Sequence, residues 1–174
     1  MINKPIEPKS PTVQQEQNTG FSLAFAYESY RNKDYQNAYD EFEHFVLQNN
    51  PKALMANAYL LFSGNLPRDF ARANQYLAQV ASLKYARAIY LQGLLEKYQK
   101  GLSQFNAKAE RLVNDAAVMG DYVAANALAN HHFQRGKYAL AQRWNEKAIS
   151  LGSSAARQNQ RVISNRQYEP AVQT

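Results

Sequence analysis

The chain has no cysteine in 174 residues, so disulfides, thiolate metal sites and cysteine nucleophiles are all ruled out. Glycine and proline are scarce at seven and six. Together with the many alanines and tyrosines, this favours helices over a turn-rich β architecture. No apolar run approaches the roughly 20 residues needed to cross a bilayer. The first residues also lack a basic segment followed by an apolar one, which predicts a soluble chain without an export signal. Acidic residues number only fourteen and histidines three. No Gly-rich phosphate cradle, paired carboxylates or nucleophile beside a base stands out, so catalysis is not expected.

What is present is enough apolar material for one domain with a real core, since a chain of about 150 residues buries roughly 68–70% of its unfolded surface. Residues 1–20 hold Pro5, Pro8 and Pro11, several Gln and little that is apolar, which predicts a disordered arm. The fold is expected over 21–167, with 168–174 as a flexible tail. The net charge of +6 is uneven. Arg135, Lys137, Arg143, Lys147, Arg157, Arg161 and Arg166 face only Glu146, whereas residues 28–43 are locally acidic. That polarity predicts an elongated molecule with one basic end.

The strongest signal is internal repetition. Ala38, Ala73, Ala109 and Ala141 recur as landmarks. From each of the first three, a small residue follows at a spacing of 20, at Ala58, Gly93 and Ala129. A further alanine stands 15 residues after every landmark, at Ala53, Ala88, Ala124 and Ala156. By contrast, the stretches from small residue to next landmark (Ala26 to Ala38, Ala58 to Ala73, Gly93 to Ala109, Ala129 to Ala141) vary from 12 to 16 and hold turn signals such as SGNLPRD and RGK. Each unit therefore reads as helix, turn, helix, and the small residues let neighbouring helices approach closely. Helices are predicted near 21–32, 35–48, 52–63, 69–82, 85–99, 105–118, 121–134, 138–150 and 153–167. The position 20 after Ala141 is Arg161, so the last, polar helix reads as a cap. The lone tryptophan, Trp144, shares a column with Glu41, Tyr76 and Leu112 and is expected to pack between units.

The stretch ALMANAYLLFSGNLPRDFARANQYLAQVASLKYARA resembles a Sel1-like repeat, with a loop ending Asp69-Phe70-Ala71-Arg72-Ala73. WNEKAISLG matches the ending of that repeat, and the third unit has Phe105 where an Asp is usual. The outer units, with the short turns KDY and GKY, look more like tetratricopeptide repeats. The resemblance implies an all-α, right-handed α-solenoid of about four helix-turn-helix repeats plus a C-terminal capping helix. It also implies a bacterial protein-binding adaptor or scaffold in envelope assembly, signalling or secretion, including neutralisers of secreted effectors, with no cofactor. The Pro- and Gln-rich arm is the kind of tether that follows a removed leader or lipid anchor, which gives a periplasmic expectation; otherwise a cytoplasmic adaptor is expected.

In such repeats, as the resemblance implies, the first helix of each pair lines the concave face. Taking positions three before and one and four after the small column gives Leu23, Tyr27 and Tyr30; Met55, Tyr59 and Phe62; Tyr90, Leu94 and Lys97; Asn126, Asn130 and Phe133. The set is rich in aromatics with polar tips, which are enriched at protein interfaces. Tyr59, Phe62 and Tyr90 are its centre and the expected hot spots; the competing reading is that several of the set complete the interior. His131 and His132 point about 100° apart on a helix and have no carboxylate three or four residues away, so a structural role is expected rather than a metal. Asp40, Glu41 and Glu43 beside His44 read as a solvated helix face. Arg157, Arg161 and Arg166 on the cap are the one feature that suits nucleic acid, the rival partner, but lack the interleaved aromatics of a binding surface. An imperfectly capped end could pair with a copy, which leaves the oligomeric state open.

Overall fold

The computed structural model describes residues 22–167. The expected arm and tail lie outside the described residues. Among these are nine helices: α1 (Leu23–Arg31), α2 (Tyr35–Val46), α3 (Pro51–Ser63), α4 (Phe70–Ala81), α5 (Ala86–Gln99), α6 (Ala107–Val118), α7 (Tyr122–Gln134), α8 (Tyr138–Ser150) and α9 (Ser154–Gln167). Each helix packs on the next in sequence, and α3 also reaches α5. The arrangement is an all-α solenoid of four helix pairs followed by α9.

Short polar side chains set the starts. Ser22, Asp34, Asn50, Asp69, Asn106 and Asp121 each accept a hydrogen bond from a backbone N–H of the first turn, satisfying donors that the helix itself cannot. In the third unit the cap is Asn106, one residue after Phe105, where the usual Asp would stand, so this helix starts at Ala107. Pro51 occupies the first position of α3, where a missing N–H costs nothing.

All the predicted small positions are fully buried: Ala26, Ala58 and Ala129, the four landmarks, and the four alanines that follow them at 15 residues. Gly93 shows why size matters there. A Cβ at Gly93 would stand 2.7 Å from Val113 Cγ2 and 3.1 Å from the carbonyl oxygen of Ala109, so only glycine lets α5 lie this close to α6.

The larger core side chains form successive layers. Phe42, Leu60, Phe62, Leu77 and Val80 fill the first half, and Val113 and Leu128 lie in the second. Trp144 is half-buried and packs against buried residues contributed by α6, α7, α8 and α9, so it lies between units as expected.

Polar ties cross between units. Glu43 on α2 accepts from Nδ2 of Asn57 on α3 and from the hydroxyl of Tyr76 on α4, both at 2.8 Å. That engagement corrects the solvated-face reading for Glu43, whereas Asp40 is exposed. Within the third unit, Glu96 on α5 pairs with Lys100 at 2.6 Å and Lys108 at 2.9 Å and accepts from Asn106. These bonds hold its carboxyl well below the ordinary range, at about 2.

Candidate functional site

The first helices of the pairs build one open groove. Its walls are Tyr27 and Tyr30 from α1, Lys52, Met55, Ala56 and Tyr59 from α3, Arg87, Tyr90, Leu91 and Leu94 from α5, and Val123 from α7, over a floor made by Phe42. The cavity has a volume of about 640 Å³. Tyr27, Tyr30, Met55, Tyr59, Tyr90 and Leu94 were expected here, and all six are half-buried. The aromatic walls are braced edge-on: Tyr27 against Phe42 at 5.0 Å and Tyr30 against Tyr35 at 5.7 Å between centroids.

Burial raises the phenol pKa of Tyr27, Tyr30 and Tyr59, and pushes that of Tyr90 up to about 12. The tyrosines are thus neutral across the physiological range and present hydroxyls that both donate and accept. Cations stand at the wall: Lys52 is exposed, and Arg87 donates from Nε to Asp121 Oδ2 at 2.6 Å. Asp121 is itself the cap of α7, so the same carboxylate orients Arg87 and starts the helix.

Phe62, expected as a hot spot, is fully buried and belongs to the core. The reason is rotational. Each helical residue advances about 100°, so the position four after a small residue lies only about 40° from the small column; in α3 this sets the Phe62 ring against Tyr98 of α5 at 5.5 Å between centroids, whereas on the terminal helix α1 the same position, Tyr30, stays at the wall. The groove is centred farther round on the same side, about 60–160° from the column. In α3 and α5 its residues stand six, three and two before and one after the column: 52, 55, 56 and 59, then 87, 90, 91 and 94. Lys52, Ala56, Arg87 and Leu91 were missed because the stripe was drawn too far toward the helix C-terminus; their spacing of three, four and seven was legible.

The last first-helix contributes less than expected. Asn126, Asn130 and Phe133 do not line the groove. Asn130 is exposed, Asn126 is half-buried with Oδ1 unpartnered, and Phe133 packs edge-on against Tyr138 at 5.4 Å. In α5, Lys97 sits over the Phe105 ring at 5.6 Å rather than in the groove. Leu23 packs on the first core layer. At the basic end Arg157 and Arg161 are exposed on α9, while the side chain of Arg166 lies outside the described residues.

Apolar side chains remain exposed where one unit passes to the next: Val118 ends α6, and Leu47, Leu83 and Met119 follow second helices. Among the described residues no helix is long and apolar enough to cross a membrane.

The histidines differ from expectation in their surroundings. His131 and His132 are both buried, and Glu110, 21 residues before His131 and on α6, reaches them. Burial lowers the pKa of both imidazoles, opposed by the Glu110 carboxylate, and so favours their neutral form.

No family model and no curated protein matches the sequence. A solved structure of a Sel1 repeat protein from Oxalobacter formigenes is similar in fold, with a TM-score of 0.56 and 23% identity over 83% of this chain. The chain spans 60% of the length of that protein. The helical-repeat fold expected from the Sel1-like and tetratricopeptide-like motifs is therefore present.

Proposed function

We propose that the chain is a non-catalytic protein-interaction module that holds a segment of a partner protein in the groove between α1, α3 and α5. The observation that carries this reading is the groove itself. Six half-buried apolar or tyrosyl side chains from three successive units converge on one open cavity of about 640 Å³, a size and lining typical of ligand-binding clefts. Tyrosines supply large rigid contact area with a hydroxyl tip, and Lys52 and Arg87 at the wall favour a segment that carries an acidic side chain. The exposed Arg157 and Arg161 on α9 add a positive field that steers acidic partners toward the same molecule.

The resemblance to Sel1-like repeats supports an adaptor role in envelope assembly or secretion, with neutralisation of a secreted effector as one form of it. The test is recovery of partners from lysate at low and high salt by the intact chain and by the Tyr59→Ala/Tyr90→Ala variant, with helicity followed by circular dichroism. Salt-tolerant capture of one protein, lost in the folded double variant, is the expected result. Capture retained by that variant overturns the groove as the site, and nuclease-sensitive, salt-labile recovery transfers the reading to nucleic acid.

A further inference from the structure

The geometry points to a transition-metal site of the zinc class formed by Glu110, His131 and His132, which ties α6 of the third unit to α7 of the fourth. One potential ligand atom from each of the three residues lies within 4.8 Å of the others. Nε2 of His131 stands 3.4 Å from Glu110 Oε2, and Nε2 of His132 stands 4.0 Å from Glu110 Oε1. An ion bonded at about 2.0–2.2 Å to nitrogen and oxygen holds its ligands about 3–4 Å apart, so the three groups need to close by at most about 1–2 Å. Two imidazoles and one carboxylate suit zinc, nickel or cobalt and leave a position open for water.

A second observation is independent of the spacing. His132 is 7% exposed, yet its Nδ1 has no hydrogen-bond partner and its Nε2 is too far from Glu110 for one. A buried ring nitrogen without a partner is costly, and a ring that no protein hydrogen bond holds is able to turn either nitrogen toward a cation beside Glu110.

The same place already attracts positive charge. Nη1 of Arg135 stands 3.7 Å from Glu110 Oε2 and 3.4 Å from His131 Nε2. Its side chain is 43% exposed and can swing into water. Arg135 therefore acts as a competitor that the metal displaces.

Zinc titration of the full chain without an affinity tag, followed by calorimetry and by the imidazole nitrogen resonances, tests the site. One equivalent is expected to bind and to shift the signals of His131 and His132 but not those of His44. Glu110→Gln, at a partly exposed position, is expected to keep the fold and to weaken binding at least about tenfold, as loss of a ligand or its support does. Arg135→Ala is expected to tighten binding. A chain that binds no zinc, that shifts His44 instead, or that binds equally well as folded Glu110→Gln overturns the assignment.

Discussion

Arg87 Nε and Asp121 Oδ2 meet at 2.6 Å, which joins a wall of the groove on α5 to the first turn of α7. The Asp121 side chain is 5% exposed, and its other oxygen accepts from the Ala124 N–H at 2.8 Å. One buried carboxylate therefore caps a helix, pairs a cation and sets the spacing of two successive units.

Asp121→Ala removes the cap and the ion partner together and is expected to cost about 2 kcal/mol. Asp121→Asn keeps a capping oxygen and should cost about half as much. Denaturant unfolding of both variants checks the order; equal losses would show that the cap contributes little.

Gly93→Ala sets helix propensity against space. Alanine gains about 1 kcal/mol of intrinsic helix preference, but its Cβ would press on the Val113 methyl and the Ala109 carbonyl at distances that force a shift. Overpacking of this kind costs about 1–3 kcal/mol, so the net expectation is a loss of about 1 kcal/mol. A double-mutant cycle with Val113→Ala should show less than additive loss, since the methyl in the way is gone.

Phe62 and Tyr30 separate core from groove. Phe62→Ala empties a fully buried site and is expected to cost about 3–5 kcal/mol. Tyr30→Ala, at a half-buried wall, should cost clearly less stability while weakening partner capture. Thermal unfolding beside a binding assay distinguishes them, and a Phe62→Ala chain that is fully stable would contradict the packing described.

Glu96 makes stability depend on acid. Its carboxyl is lowered to about 2 in the folded chain, against an ordinary value of 4.5. The charged form is thus favoured by folding, so its contribution is present above about 4.5 and is lost as pH falls from there toward about 2. Lys100 and Lys108 are 56% and 70% exposed, which screens the pairs. The total expected at pH 7 is therefore only about 1 kcal/mol, much of it from hydrogen bonds to the buried carboxylate. Glu96→Gln should lower stability at neutral pH and flatten the decline between pH 4.5 and 2, read from denaturant midpoints across that range.

Much of the fold was legible because it rests on short-range spacing. Ala38, Ala73, Ala109 and Ala141, with the alanines that follow them, announced where helices must approach closely, and every one is buried. The turn signals around Gly64 and Gly136 placed the breaks between helices. Helix bounds differ from expectation by a few residues at most, as at α6, where Asn106 rather than Phe105 provides the start.

The site was legible only in part. The first helices do line the groove, and six of the expected residues stand in it, but sequence spacing left undetermined how far round each helix from the small column the groove is centred. Phe62 and Lys52 lie on the same helix, and the rotation of α3 against α2, α4 and α5 sends one into the core and the other to the wall. The histidines make the same point over a longer distance. No residue near His131 in the chain is acidic, and Glu110 reaches it only because α6 packs on α7.

The sequence by itself determined the repeating helix pair, the close-packed columns and the basic end, because these follow from periodicity within a helix and from composition. Only the tertiary structure decided which tyrosines share a cavity, that Arg87 leans on Asp121, and that Glu110 meets two buried imidazoles. Those relations depend on how each helix is rotated and stacked against its neighbours, and that is settled by the packing of many side chains at once.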